Sequence, residues 1–311
     1  MKVRLSTVAI SLALVLSPLA CKKAKVNPKA NGKTAAQLLQ EGGDLLKRGR
    51  FDDARKMLRI LEENLPSSPE FPDAKLMLGD SFFFQSTASY PEAIVEYQSF
   101  LNYFPKHERR DYAMYHLALC HYASIESADR DQAETKQAVE AFQRLLSDQP
   151  GSPYAVEAKD RIIQCWRRIA EHELVVGVYY VNSFNYTGAE KRLKALLETY
   201  PDYADRERVY FYLGEAMRQR FPTNPEMEAW QKAKVASFQK DTFRDLEDDQ
   251  KRQTVEGAAA YAQSEIKRFR DEAKGYYQKL VESYPNSEWA RRAGDRLREM
   301  GSTNLKEELD S

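Results

Sequence analysis

The sequence predicts an all-α chain of about five helix–turn–helix units closed by a C-terminal capping helix, and three observations carry that expectation. A small residue is followed twelve positions later by proline five times: Ala54/Pro66, Ala93/Pro105, Ala138/Pro150, Ala189/Pro201 and Ala273/Pro285. Helix that runs up to a proline, which has no N–H to continue it, gives each unit a second helix of constant length. Eight positions after each proline a small or β-branched residue returns, at Ala74, Ala113, Ala158, Val209 and Ala293. Fifteen after it stand Ser81, Cys120, Cys165 and Ala216, with Met300 as the exception. These are narrow points where crossing helices would be pushed apart by a larger side chain. Finally, 13 Gly and 13 Pro in 311 residues are too few for a sandwich or barrel, which needs a turn every ~8–12 residues.

Composition narrows the function class. With 47 Lys+Arg against 47 Asp+Glu the formal net charge is zero, so the molecule as a whole has no attraction for nucleic acid and no such partner is expected. Three cysteines cannot staple a chain of this size.

In chain order, Lys2 and Arg4 precede an uncharged apolar stretch at residues 5–16. As a helix it would rise only ~18 Å, short of a ~30 Å hydrocarbon core. Residues 1–20 therefore read as a signal peptide. The segment Ser17, Pro18, Leu19, Ala20, Cys21 resembles a bacterial lipobox, with Pro18 where Leu is usual. That resemblance implies that Cys21 carries lipid such as palmitate; the alternative is ordinary cleavage nearby with Cys21 unmodified. Residues 21–34 hold Lys22, Lys23, Lys25, Lys29 and Lys33, with no acid before Glu41. Such a stretch reads as a flexible tether, its lysines either meeting anionic lipid heads or simply keeping a linker soluble. Lys22 after the cysteine, by resemblance to the lipoprotein-sorting rule, implies an outer-membrane anchor with the body facing the periplasm.

Residues 35–302 hold the repeats, which resemble the tetratricopeptide repeat in the spacing of their small residues and closing proline. Phe51, Tyr90 and Tyr186 stand three residues before the repeat alanine in three units. Units of this kind stack into a solenoid with a concave groove. The spacing from the small residue of the first helix to the alanine of the second grows: 12 from Ser81 to Ala93, 18 from Cys120 to Ala138, 24 from Cys165 to Ala189, 57 from Ala216 to Ala273. Longer turns or extended helices would account for the first three. The fourth marks an insertion at residues 221–266, opened by Pro222 and Pro225, that reads as a helical hairpin or mobile arm. Residues 286–300 form a charged amphipathic helix suited to cap the array, and residues 303–311 read as a disordered tail.

Catalytic inventories come up empty, and no enzyme activity, cofactor or metal is expected. The four histidines, His107, His116, His121 and His172, do not form H-E-x-x-H. No nucleophile elbow or phosphate-cradling glycine loop occurs. His116, Cys120 and the adjacent His121 offer at most two or three zinc ligands, but Cys120 falls at a narrow repeat position, so Cys120 and Cys165 are expected as buried free thiols. A groove is then the place to look for function. The residue after each fifteenth position gives Phe82, His121, Trp166 and Met217, and Lys75, Leu78, Gln85, Met114 and Ile162 share the stripe by helical spacing. Lys75, Phe82, Gln85, Met114 and His121 are the groove candidates for capture of a peptide segment. The competing reading has several of these, Trp166 above all, packing in the core.

Four segments carry a narrower resemblance: residues 111–115, 129–131, 149–154 and 192–201. In order and interval they resemble the BamD family, lipoproteins of the machinery that folds β-barrels into bacterial outer membranes. The likeness covers about residues 35–220; the insertion after Arg220 departs from it. It implies a non-enzymatic scaffold whose N-terminal repeats bind unfolded outer-membrane proteins and whose C-terminal repeats dock on the periplasmic domain of BamA, with other assembly lipoproteins as further partners. Arg192, nine residues before Pro201, matches an arginine used in that docking. The alternative class is another periplasmic repeat lipoprotein that scaffolds peptidoglycan or envelope-division machinery.

Overall fold

The computed structural model describes residues 32–220 and 248–302. The signal peptide, Cys21, most of the tether, residues 221–247 of the expected insertion and the 303–311 tail lie outside the described residues. Among the described residues there are eleven α-helices and no strand: α1 (Ala35–Lys47), α2 (Phe51–Asn64), α3 (Phe71–Phe83), α4 (Tyr90–Tyr103), α5 (Arg110–Ala123), α6 (Ala133–Asp148), α7 (Ala155–Asn182), α8 (Tyr186–Thr199), α9 (Arg206–Gln219), α10 (Asp248–Ser283) and α11 (Glu288–Ser302). They fall into five consecutive pairs, and α11 is left to close the series. None is long and apolar enough to cross a membrane.

Proline sets where the second helix of each pair stops. In all five pairs the last helical residue lies two positions before the repeat proline. The residue before proline is driven out of the helical region by the pyrrolidine ring, and Leu65, Gln149 and Tyr200 accordingly take ψ of 43°, 65° and 69°. The chain then makes the same turn each time. The N–H two residues after the proline donates to the carbonyl just before it, in Ser68→Leu65, His107→Phe104, Ser152→Gln149, Tyr203→Tyr200 and Ser287→Tyr284, at 3.0 to 3.1 Å.

The links inside the pairs vary instead. Residues 48–50, 84–89, 124–132 and 183–185 join the first four. The 18-residue spacing is thus filled by a long link, 124–132, whereas the 24-residue spacing is filled by helix: α7 has 28 residues where the other first helices have 13 or 14.

Every narrow position is closed. The five repeat alanines, their counterparts Ala74, Ala113, Ala158, Val209 and Ala293, and Ser81, Cys120, Cys165 and Ala216 are all fully buried, and Met300 is nearly so. Four first helices also place a glycine against the residue four past the repeat alanine. A Cβ would fall 2.8 Å from Leu58 at Gly42, 2.6 Å from Tyr97 at Gly79, and 2.4 Å from Leu193 at Gly177 and from Tyr277 at Gly214. In the third pair Ala118 and Phe142 occupy the corresponding places in one core.

The chain divides into two compact units, the first ending at Phe100 and the second beginning at Leu101. The first is organised around Leu38, Leu58, Leu61, Ala74 and Leu78. Its buried charges are neutralised together: the Lys75 ammonium donates to Glu96 at 2.6 Å and to Glu62 at 2.8 Å, while Arg59 reaches both carboxylates. Burial alone would raise the Glu62 pKa, but the hydrogen bonds and charges of Lys75 and Arg59 hold it below the usual range.

The second unit has two cores, and α7 belongs to both. Its first turns, with Ala158 and Cys165, pack with Phe142 and Leu145 of α6. Its last turns, with Leu174 and Val181, pack with Leu193 and Leu196 of α8 and with α9, α10 and α11. Across those last three helices, the Glu215 carboxylate accepts from Tyr277 Oη at 2.7 Å, Arg296 Nε at 2.8 Å and Arg218 Nη2 at 2.8 Å.

Candidate functional site

The α7–α8 pair carries Arg192 and Trp166, and its turn sets how the two helices lie together. Phe184 takes φ of 61°, the left-handed region that reverses the chain in three residues. The Asn185 side chain then accepts the Gly188 N–H at 3.1 Å to start α8. With Gly177 seated on Leu193, α8 runs back along α7 at close range.

Arg192 immediately precedes Leu193 on α8. Its Nη1 donates to Glu173 Oε2 at 2.7 Å, and the guanidinium lies 5.6 Å from the Tyr180 ring centroid. Both partners come from α7. The pair is about one-third exposed (31% and 29%), which leaves the guanidinium within reach of an incoming carboxylate.

Two turns away on both helices a cleft of about 370 Å³ opens between α7 and the α8–α9 connection. Ile163, Trp166 and Arg167 form one wall; Tyr200, Asp202 and Tyr203 form the other. The Trp166 and Tyr200 rings stand 6.0 Å apart at 43°. Burial pushes the Tyr203 phenol up to about 12, assisted by the Asp205 and Glu171 charges, so it is a neutral hydrogen-bonding group at any physiological pH. Trp166 is 38% exposed, so the core reading of this residue does not hold; it stands on the cleft wall.

The five groove candidates do not converge. Phe82 and Gln85 are brought together by Arg55, whose guanidinium lies 4.5 Å from the Phe82 ring and donates to Gln85 Oε1 at 3.2 Å. Both are half-buried. Lys75 is instead sealed inside the first unit's ion network at 4% exposure, and Met114 is 3% exposed in the second unit's core. Neither offers itself to a ligand. The reason is the same for both: helical spacing finds a face, but the neighbouring helix decides whether that face is covered. His121 is half-buried, with Nδ1 2.8 Å from Glu134 Oε2.

Cys120 and Cys165 are buried free thiols, and burial pushes their pKa up to about 12 and about 11, so both stay protonated and inert. His116 stacks on Tyr112, with centroids 4.0 Å apart. Among the described residues no group of three His, Cys, Asp or Glu is arranged to hold a metal ion.

Sequence reasoning missed the cleft, the Glu173 partner and the glycine contacts. The glycines carried a usable signal, since each faces the residue four past a repeat alanine. Glu173 and the cleft carried none, because both depend on how far α7 continues past Cys165.

Paired helices with closed narrow points and a recurring proline turn define a tetratricopeptide-repeat protein, and residues 258–287 match that repeat family directly. Residues 31–233, about two-thirds of the chain, match the family described as "Outer membrane lipoprotein". The chain belongs to that family. Relatives from several bacteria carry the name "outer membrane protein assembly factor BamD". The protein from Caulobacter vibrioides is 29% identical over 179 residues, covering 58% of this chain and 58% of the relative. That from Vibrio cholerae is 29% identical over 177 residues, covering 54% and 73%. That from Xylella fastidiosa is 24% identical over 252 residues, covering 74% and 86%. The chain thus spans little more than half the length of the Caulobacter relative.

Proposed function

We propose that this chain is a scaffold of outer-membrane β-barrel protein assembly, held to the outer membrane by lipid on Cys21 and facing the periplasm. It binds unfolded barrel proteins and docks on the periplasmic domain of BamA. The observation that carries this reading is the family match over residues 31–233, together with relatives named as assembly factors.

Arg192 is the docking residue in this reading. A planar guanidinium can take a carboxylate through two parallel hydrogen bonds, which lysine cannot reproduce. In the free chain that place is held by Glu173. Docking therefore exchanges an internal carboxylate for one on the partner, and Glu173 sets the threshold.

The test is co-purification of BamA with the lipidated chain from detergent-solubilised membranes. Arg192→Glu is expected to cut recovery at least about tenfold, the range for breaking a close charge pair at an interface, with the circular dichroism spectrum unchanged. Glu173→Gln is expected to raise recovery by freeing the guanidinium. Recovery unchanged by Arg192→Glu would overturn Arg192 as the docking residue, and depletion of the protein without loss of folded outer-membrane barrels would overturn the scaffold reading itself.

A further inference from the structure

The cleft at Trp166 is a product of the length of α7. The other first helices end after 13 or 14 residues, and α7 runs about four turns further, so that α8 packs on its last turns rather than beside the part that packs on α6. The turns between Cys165 and Leu174 belong to neither core. They are held by the 124–132 link, through His172 Nδ1 2.7 Å from the Ala128 carbonyl, and by the α8–α9 connection. On the outer face of α7, from the turns that pack on α6 up to this stretch, large apolar side chains share one stripe: Val156 at 73%, Ile163 at 49% and Trp166 at 38% exposure. Leaving such groups in water is unfavourable, and a cluster of them leading into a walled cleft marks a contact site.

Charge narrows the occupant. Lys159 and Arg167 lie on the same stripe, both exposed. Neither has an ion pair or hydrogen bond among the described residues, unlike Arg161 and Arg168 beside them, which pair with Glu157 and Glu171. Asp160 stands at the edge of the stripe, and Asp202 faces Arg167 from the opposite wall of the cleft, also without a partner among the described residues. The cleft therefore offers aromatic walls flanked by one free donor group and one free acceptor. That pattern suits an extended backbone, which presents alternating N–H and carbonyl groups, better than a helix, whose backbone groups are already spent.

We propose that this cleft anchors one aromatic side chain of an extended, acidic partner segment, with the ring between Trp166, Tyr200 and Tyr203, a carboxylate on Arg167, and a backbone N–H on Asp202. The proposal deepens the scaffold reading and rests on it, but it uses none of the Arg192 contacts.

The test is fluorescence anisotropy of a labelled octapeptide with a central Phe flanked by Glu, titrated with the full chain, alongside the Phe→Ala peptide and a peptide with Lys in place of Glu. The acidic Phe peptide is expected to bind at least tenfold tighter than either control, with salt weakening it. Ile163→Glu, at an exposed position, is expected to abolish binding without lowering the melting temperature. Arg167→Glu is expected to weaken the acidic peptide and strengthen the Lys peptide, a reversal that a merely structural role would not produce. Equal binding of the Phe and Ala peptides, or no reversal with Arg167→Glu, would overturn the proposal. Self-association of the chain that Ile163→Glu abolishes would give the cleft to a second copy and overturn it too. Failure here with Arg192→Glu still losing BamA leaves docking standing, whereas peptide binding with BamA recovery indifferent to Arg192→Glu supports the cleft and sinks Arg192 alone.

Discussion

Lys75 shows how a single residue can be assigned to the right helix face and the wrong environment. Its position in the stripe suggested a cation lining a groove, yet its ammonium is buried between Glu96 at 2.6 Å and Glu62 at 2.8 Å. The spacing of a helix is local, and these partners lie 13 and 21 residues away, on α2 and α4. Removing a buried ammonium leaves two carboxylates facing each other with only Arg59 between them. Lys75→Met is therefore expected to destabilise the first unit by about 3 kcal/mol, measured by urea unfolding. Adding Glu96→Leu to Lys75→Met is expected to recover part of the loss, because the second carboxylate then no longer lacks its counter-ion. A double variant less stable than Lys75→Met would contradict this account.

At the scale of elements, the repeat grammar was legible and its exceptions were not. The proline interval and the small positions set the number of helix pairs, because a missing N–H and a close helix crossing both leave marks on single residues. The growth of the spacing from 12 to 18 to 24 was equally visible, but spacing cannot distinguish loop from helix: 124–132 took the first increment as a link and α7 took the second as added turns. That ambiguity hid the cleft, since Tyr200 and Tyr203 meet Trp166 only if α8 packs on the added turns of α7. Gly177 is where the long helix regains contact with the next. An alanine Cβ there would lie 2.4 Å from Leu193 Cδ2 and 2.8 Å from Cγ, so Gly177→Ala is expected to cost about 1–3 kcal/mol by overpacking. Because Arg192 is adjacent to Leu193, the same change is expected to weaken BamA recovery, and Gly177→Ala combined with Leu193→Ala is expected to cost less than the sum of the two single changes, since the added methyl partly fills the space the leucine leaves. Thermal melts of the single and double variants decide this.

Across the whole molecule, each unit carries its own buried ionic centre, and that of the second unit responds to acid. Burial alone would raise the Glu215 pKa, but hydrogen bonds from Arg218 and Tyr277 and the charges of Arg218 and Arg296 bring it down to about 2 from an ordinary 4.5. A carboxylate depressed in this way stabilises the fold fully above its unfolded value, and the contribution is lost as pH falls from about 4.5 toward 2, in total about 3 kcal/mol. The second unit is expected to lose stability across that window, and Glu215→Gln is expected to be less stable at neutral pH with a flatter profile below 4.5. Fluorescence of Trp289, which stands 5.1 Å from the Phe211 ring, reports the transition. The family was also legible at this scale, from the resemblance carried by residues 111–115, 129–131, 149–154 and 192–201. The proline turn has one more implication. Because the passage from each pair to the next repeats one hydrogen bond while the link within each of the first four pairs runs from three residues to nine, new sequence is better admitted within a pair than between pairs. An epitope tag or fluorescent reporter spliced at the exposed residues 86–87 of the 84–89 link would ride on the protein, whereas the same cargo placed at a proline turn would break the joint that keeps successive modules in step.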